Sequence, residues 1–342
     1  MMRTKRKNGS VWRVVAILVS LALLVACGGP GTALTTQPPP APAATTQPEA
    51  GANYKIGFVV ANINNTFYLK AIEGAKEEAA QLGVELLVQG PQEFSPEKEV
   101  PVVEALLAQS PDALAIAVAD PTALNAALQG YVDANIPIVA YDAILDAPFP
   151  IVSQIESANE DGGAMAADEL VRQMGESGTV GVIDLNTSNK VTVARRDGFL
   201  GRMADAYPEI EVLEVQYTQL DFPSAQTIAQ TYLNQYPDLT GIFCTFSPAT
   251  EFAAKGIEDL EAQSQVTIVG YEASAEEIND IRSGTLNAVV AQQPAEEGKL
   301  AVRYAFYALT GRTDEIESHV QLPQVVINGD NVDDMKDFYY GQ

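Results

Sequence analysis

Residues 55–89, KIGFVVANINNTFYLKAIEGAKEEAAQLGVELLVQ, contain the pattern that decides the fold. The segment opens with an apolar run at 55–60 and closes with a second apolar run at 84–88. Between the two runs, apolar residues recur at helical spacing, at Leu69, Ile72, Ala75, Ala79 and Leu82. Gly83 follows as a helix stop. This order predicts a strand, a helix and a second strand that runs parallel to the first.

The same alternation of apolar runs and helical periods continues to residue 290. Short apolar runs bounded by Gly, Pro, Asp and Asn are typical of parallel strands that are covered on both faces. We therefore predict an α/β fold of two doubly wound parallel-sheet lobes, because two smaller sheets fit this length better than one large sheet. The nine predicted strands are 55–60, 84–88, 113–118, 136–140, 179–183, 211–216, 241–244, 266–269 and 286–290.

Residues 1–27 indicate the compartment. Five basic residues precede an apolar run at 14–26, as in a signal peptide. The run is shorter than the roughly 20 residues that a transmembrane helix needs. It ends in Leu24-Val25-Ala26-Cys27, which resembles the lipobox of bacterial lipoproteins and makes Cys27 the expected lipid anchor. We expect an extracytoplasmic protein, in the periplasm or at the cell surface; the alternative is an ordinary signal peptide with a chance cysteine.

Residues 28–52 are rich in Pro, Thr, Ala and Gln, and we expect them to form a disordered tether because they can bury little apolar surface. Cys244 is the only other cysteine and is expected to be a small buried apolar residue. Five of the 20 basic residues lie in the signal, so the mature chain has 15 basic and 45 acidic residues. This charge argues against nucleic acid as a partner.

Polar and aromatic side chains follow several of the predicted strands. Residues 62–68 offer amides and aromatic rings after the first strand, and Tyr141-Asp142, Tyr271-Glu272 and Gln292 follow three later ones. In doubly wound sheets the ligand crevice lies beyond the carboxyl ends of the strands. Carboxylates and amides pair with hydroxyl groups, and rings cover a C–H face, as sugar recognition requires. For any one of these residues, helix capping or core packing is the alternative.

Six segments in the same order and spacing give a resemblance to a known family, the type I periplasmic sugar-binding proteins, above all those that bind ribose. No single segment is specific, and the resemblance extends from Lys55 to Ile327. The six segments are 64–68, 135–142, 195–199, 221–222, 269–272 and 291–294.

The resemblance implies two lobes joined by a three-strand hinge. Residues 53–156 and 293–320 would form the N-terminal lobe, and residues 157–292 and 321–342 the C-terminal lobe. Hinge closure around a small sugar or polyol would precede delivery to the permease of an ABC importer. A monomer without cofactor, metal or catalytic residues is implied. The implied ligand-binding residues are Asn65, Phe67, Tyr68, Asp120, Asp142, Arg195, Phe222, Phe246, Glu272 and Gln292.

Departures from the ribose-binding pattern make the expected pocket more acidic and more aromatic. Ala143 and Val193 stand where the family has arginines, Asp120 replaces an asparagine, and Glu272 replaces an aspartate. Such a pocket suits another pentose or hexose, a polyol, or a ligand with an amine or quaternary nitrogen better than ribose. It does not suit a phosphorylated or carboxylated solute.

Other classes of protein fit the sequence less well. His319 is the only histidine, which leaves little for a Ser-His-Asp site or a histidine metal cluster. A glycoside-processing enzyme that uses Asp142 and Glu272 stays open. The glycines at 175, 178 and 181 precede a strand, whereas a dinucleotide fingerprint follows one. A lipid-anchored sensor for a membrane kinase or chemoreceptor also stays open. A sugar-responsive repressor fits less well, because the expected lipoprotein signal stands where such a repressor has its DNA-binding helix-turn-helix.

Overall fold

The computed structural model describes residues 53–341, so the predicted signal, tether and Cys27 lie outside the described part of the chain. Two short 3-10 helices, Thr313–Glu315 and Lys336–Phe338, accompany the main elements. The strands and α-helices are β1 Lys55–Val59, α1 Thr66–Leu82, β2 Glu85–Gln89, α2 Pro96–Leu107, β3 Ala113–Ile116, α3 Asn125–Asp133, β4 Ile138–Tyr141, β5 Ser153–Ser157, α4 Asn159–Met174, β6 Gly178–Asp184, α5 Lys190–Ala206, β7 Ile210–Val212, β8 Gln216–Tyr217, α6 Ser224–Gln235, β9 Leu239–Cys244, α7 Ser247–Glu258, β10 Thr267–Tyr271, α8 Ala275–Ser283, β11 Ala288–Ala291, α9 Pro294–Leu309, β12 His319–Leu322 and β13 Val325–Asn328.

The N-terminal lobe is built on a six-stranded sheet in the order β12-β5-β4-β3-β1-β2, in which every pairing is parallel. All residues of β3 and β4 are buried, and only Lys55 of β1 is exposed. Helices cover both faces of such strands, which explains their nearly continuous apolar sequence. The predicted α/β class is therefore confirmed for this lobe.

The C-terminal lobe is built on a seven-stranded sheet in the order β13-β11-β10-β9-β6-β7, with β8 also paired to β6. The pairings are parallel except for β13, which runs antiparallel to β11. The predicted single strand at 211–216 is in fact β7 and β8, with the backbone N–H of Leu213 bonded to Val180 O between them.

The chain crosses between the lobes three times. The crossings are Ala158 between β5 and α4, Gln292-Gln293 between β11 and α9, and Pro323-Gln324 between β12 and β13. The predicted three-strand connection is present, but the expected change of lobe after residue 320 was placed too early. Strand β12 pairs with β5 as far as Leu322 and so completes the N-terminal sheet before the chain leaves it.

Close contact between α4 and α5 fixes the position of α5 in the C-terminal lobe. A Cβ atom on Gly163 would lie 1.9 Å from Arg195 O, and one on Gly198 would lie 2.0 Å from Glu160 O. Only glycine allows two helix backbones to approach so closely. The first turns of α5, which carry Arg195, are therefore held directly against α4.

Among residues 53–341 no helix combines the length and the apolar character that a bilayer span requires. Cys244 is buried and unpaired within this range, as expected for a small apolar residue.

Candidate functional site

A cavity of about 490 Å³ lies between the two lobes, at the carboxyl ends of their strands. Its walls come from both lobes, and the N-terminal half begins at the turns after β1 and β4. Nine of the ten predicted ligand-binding residues line it: Asn65, Phe67, Tyr68, Asp142, Arg195, Phe222, Phe246, Glu272 and Gln292. We refer to this cavity as the cleft. The contact of these side chains with a ligand stays a prediction.

The N-cap of α1 positions the aromatic residues of the N-terminal half. Asn65 Oδ1 accepts a hydrogen bond of 2.9 Å from the backbone N–H of Phe67, which starts the helix at the cleft wall. The rings of Phe67 and Tyr68 meet edge to face, with centroids 5.3 Å apart. The hydroxyl of Tyr68 donates a 2.7 Å hydrogen bond to Asp142 Oδ2. One neutral donor thus orients the carboxylate of this half.

Asp142 itself sits in an unusual backbone conformation. Its φ angle is 64°, and a hydrogen bond of 2.8 Å from Ala143 N to Tyr141 O closes the turn around it. A non-glycine residue in this region is uncommon, and strained residues concentrate at functional sites. Burial raises the pKa of the Asp142 carboxyl above its usual value, and the Tyr68 hydroxyl and Arg195 oppose this shift.

Arg195 is the central charged residue of the C-terminal half and is almost completely buried. Its Nε donates to Asn159 Oδ1 at 2.9 Å, and its Nη1 donates to Thr245 O at 3.0 Å. The guanidinium lies over the ring of Tyr271, 3.8 Å from the ring centroid. Its Nη1 also lies 3.7 Å from Glu272 Oε1. These contacts fix the position of the arginine side chain beside the Glu272 carboxyl group.

Glu272 follows β10 as Asp142 follows β4, and it also has a positive φ, of 85°. Its backbone N–H bonds to Val290 O at 2.8 Å. Burial raises the pKa of Glu272 to about 7, while Arg195 lowers it and the charge of Asp142 raises it further. The charge of Asp142 therefore acts on the Glu272 carboxyl group across the cleft.

Aromatic rings contribute apolar surface from both halves. Phe222 and Phe246 meet edge to face in the C-terminal half, with centroids 5.5 Å apart. They complement Phe67 and Tyr68 in the N-terminal half. Rings beside hydrogen-bonding groups suit a ligand with apolar C–H faces and polar substituents.

Gln292 connects the cleft to the crossing segments. Its Nε2 donates to Ser157 Oγ at 3.1 Å, and Ser157 Oγ donates to Glu297 Oε1 at 2.7 Å. Ser157 ends β5 before the first crossing, and Gln292 forms part of the second. Burial holds the pKa of Glu297 well above its usual range. Gln292 Oε1 is buried and accepts no hydrogen bond from the described residues.

Asp120 is the predicted residue that does not line the cleft. It lines an adjoining cavity of about 180 Å³ instead. Its Oδ1 accepts hydrogen bonds from Thr122 N at 2.9 Å, Thr122 Oγ1 at 2.9 Å and Ala123 N at 2.8 Å. This aspartate stabilises the turn before α3, which was the alternative for a polar residue at such a position.

Comparison with known proteins gives the family. A model of the periplasmic binding protein domain matches residues 56–313. The chain belongs to the periplasmic binding protein family. Its two lobes and three crossings are those of the type I fold. This periplasmic binding protein is accordingly a binding protein and not an enzyme.

Individual relatives of this periplasmic binding protein match almost along their full length. The ribose import binding protein of Escherichia coli (strain K12) is 29% identical over 283 residues, which cover 83% of this chain and 94% of the relative. That of Bacillus subtilis (strain 168) is 27% identical over 302 residues, 87% of this chain and 93% of the relative. An ABC transporter solute-binding protein from Agrobacterium vitis, bound with α-D-tagatopyranose, superposes with a TM-score of 0.79 at 30% identity, and covers 84% of this chain and 100% of that structure.

Sequence reasoning missed part of the cleft wall of this periplasmic binding protein. Most of the missed residues follow β2 and β6, and the others follow β3, β8 and β9. Asn189, for example, caps α5 by accepting a 3.0 Å hydrogen bond from Thr192 N. Applying the strand-end rule to every strand would have found both segments. The missed polar residues are Gln92, Glu93, Asn189 and Thr192, and the missed apolar ones are Phe94, Val118, Leu185, Val191, Leu220 and Pro248.

Proposed function

We propose that this protein captures a small sugar or polyol in the cleft by closing its two lobes and delivers it to the permease of an ABC importer. The observation that carries the proposal is the convergence of Asp142 and Glu272, one from each lobe, on a single cavity with aromatic walls. A carboxylate accepts hydrogen bonds from sugar hydroxyls, and the rings cover the C–H faces.

The relatives support the same ligand class. Two of them are named ribose import binding proteins, and the Agrobacterium vitis structure contains a pyranose sugar. Ala143 lines the cleft where the ribose-binding pattern has an arginine, which favours a sugar or polyol other than ribose.

Hinge closure follows from where the contacts lie. A ligand between Asp142 and Glu272 gains its full set of contacts only when both lobes reach it, so it favours the closed form. Taking the closed form from about 1% to about 99% requires roughly 5.5 kcal/mol of differential binding. Hydrogen bonds to charged groups contribute about 1.5–3 kcal/mol each, so a few of them suffice.

We further propose that lipidated Cys27 anchors the protein outside the cytoplasmic membrane and that residues 28–52 tether a monomeric body to it. The basic n-region and apolar run before Cys27 support this proposal. Replacing Cys27 by serine should release the protein from the membrane fraction, and an unchanged distribution would contradict the anchor.

The ligand proposal is tested by a thermal-shift screen of the mature protein against pentoses, hexoses and polyols. A ligand at 100 times its Kd stabilises the folded state by about 2.7 kcal/mol and therefore raises the Tm. Asp142→Ala and Phe222→Ala should each abolish the shift. Asp120→Ala is the matched control, because Asp120 lies outside the cleft. A shift that survives in both cleft variants, or that only the control loses, would contradict the proposed site.

A further inference from the structure

The charges that line the cleft do not balance. Glu93, Asp142 and Glu272 are its acidic residues, and Arg195 is its one basic residue among those described. Glu93 lies at the exposed rim, where it pairs with Lys98. The interior therefore holds two carboxyl groups against a single guanidinium.

Two of the three nitrogens of that guanidinium already donate hydrogen bonds to the protein. Arg195 Nε and Nη1 donate to Asn159 and to Thr245 O, and its flat face covers Tyr271. Its charge also opposes the rise that burial causes in the pKa of Glu297. The single charge of the arginine therefore cannot neutralise both Asp142 and Glu272 when both are ionised.

Three side-chain oxygen atoms of cleft residues lack a hydrogen-bond donor. Asp142 Oδ1, Glu272 Oε2 and Gln292 Oε1 accept no hydrogen bond from any residue in the range 53–341. An uncharged hydroxyl group brings two acceptor lone pairs with each donor, whereas an ammonium group brings three donors and no acceptor. A cationic nitrogen therefore matches these oxygens better than a further hydroxyl does. Aromatic walls add favourable cation–π contact.

We propose that the ligand carries a protonated amino group on its sugar or polyol body, held between Asp142 and Glu272. This inference rests on the proposed function and narrows its substrate class to amino sugars and aminated polyols. The competing arrangement is a cleft whose carboxyl groups are neutralised by protons and whose ligand is an uncharged sugar.

The two arrangements respond differently to pH. Burial raises the pKa of Glu272 to about 7. Because an ammonium group stabilises the ionised carboxylate, its binding releases protons and weakens as the pH falls below that value. Binding of an uncharged sugar requires no such release. The charged and titratable groups that face Glu272 are Arg195 of α5, Asp142 after β4, Glu251 of α7, Glu277 of α8 and Tyr340 of the C-terminal segment.

The experiment is calorimetric titration of the mature protein with matched pairs of probes. D-glucosamine is compared with D-glucose, D-galactosamine with D-galactose, and glucamine with sorbitol. The uncharged N-acetyl hexosamines serve as further controls for the two hexosamines. We expect at least one amine to bind roughly tenfold or more tightly than its uncharged partners, as a charge-assisted hydrogen bond implies. The affinity of glucamine, whose alkylamine stays protonated over this range, should fall between pH 8 and pH 6 with proton release that is measurable in buffers of different ionisation enthalpy. For a hexosamine, whose ammonium group titrates at about pH 8 as an α-amino group does, the affinity should instead peak between that value and the pKa of Glu272.

Variants separate the site from the overall charge of the protein. Glu272→Gln should bring the affinity ratio of amine to parent close to one, and Asp142→Asn provides a second test should the first variant not fold. Glu258→Gln removes one negative charge from the exposed face of α7, outside the cleft, and should leave the ratio unchanged.

The failures of the two proposals are distinguishable. Uncharged sugars that bind as tightly as the amines, or an amine preference that survives in Glu272→Gln and Asp142→Asn, would overturn the amine inference and leave sugar binding in place. Absence of binding by every sugar, polyol and amine in the panel would contradict both proposals.

Discussion

Two hexapeptides, one from each lobe, face the cleft with nearly the same sequence. Residues 138–143 read IVAYDA, and residues 268–273 read IVGYEA. Both begin as a buried strand, continue into a fully buried tyrosine, and present a carboxyl group at positive φ, 64° for Asp142 and 85° for Glu272. Each lobe thus places a carboxyl group at the cleft with the same arrangement of a buried strand, a buried tyrosine and an acidic residue at positive φ.

The support behind the two acids differs. A neutral phenol, Tyr68, orients Asp142, whereas a buried cation, Arg195, faces Glu272. Tyr141 bonds to Val59 O within its own lobe, and Tyr271 lies under Arg195 and bonds to Gln324 of the third crossing. The C-terminal half therefore depends on one charged residue, while the N-terminal half depends on several smaller contacts. Changes in the two halves should differ in size accordingly.

The largest expected effect is that of Arg195→Ala. The substitution leaves Glu272 buried without its cation and removes the partner of Asn159, Thr245 O and the Tyr271 ring. Breaking a buried ion pair by removing one partner costs about 3–5 kcal/mol. Arg202→Ala on the same helix removes an exposed pair with Asp168 and should cost under about 1 kcal/mol. Equal losses of unfolding free energy for Arg195→Ala and Arg202→Ala in denaturant unfolding would contradict the special role of Arg195.

The next effect is the pH dependence of stability that Glu272 contributes. Its pKa is raised to about 7 in the folded state, so the folded protein binds this proton more tightly than the unfolded chain does. The stabilisation is fully present below the unfolded pKa near 4.5 and is lost as the pH rises through about 7.

Relative to the parent, the unfolding free energy of Glu272→Gln should therefore rise by about 2–3 kcal/mol as the pH increases from 5 to 8, because each tenfold change in proton affinity corresponds to roughly 1.4 kcal/mol. Asp120→Asn is the control, because hydrogen bonds from Thr122 and Ala123 lower the pKa of Asp120 and place its titration at more acid pH. Parallel stability curves for Glu272→Gln and the parent would show that Glu272 is not protonated in the folded protein.

The smallest effect is expected in the N-terminal half. Tyr68→Phe removes the one hydrogen bond that Asp142 receives from the described residues, without creating a cavity. It should cost about 1–2 kcal/mol in denaturant unfolding and raise the pKa of Asp142 further. Tyr141→Phe is the matched control, since its hydroxyl bonds to Val59 O and not to a carboxylate, and it should leave the pKa of Asp142 unchanged. A carboxyl titration that moved equally in both variants would contradict the role of Tyr68.

Sequence patterns predicted the parts of the fold that are locally encoded. Continuous apolar runs identified the central strands, because burial on both faces leaves no polar position in them. Strands β5 and β12 were missed, since SQIES and HVQL alternate polar with apolar residues at the outer side of the sheet. The pairing of β12 with β5 joins residues more than 160 positions apart, and no local pattern encodes it.

The candidate site was predictable where a side chain follows a strand directly, as Asp142 and Glu272 do. It was not predictable where a polar residue after a strand can either contact a ligand or cap a turn. Asp120 is the example, because its carboxylate accepts hydrogen bonds within the turn before α3. Glu297 and Ser157 were also missed. They lie behind the cleft, and only the crossing of the chain between the lobes brings them together.

Both lobes are proposed to enclose one ligand in the cleft. The most direct test is a crystal structure of the mature protein with the strongest ligand from the thermal-shift and calorimetric panels. We expect ligand density between Asp142 and Glu272, with contacts from Phe67 or Tyr68 on one side and Phe222 or Phe246 on the other. Density that contacts a single lobe, or that lies outside the cleft, would contradict it.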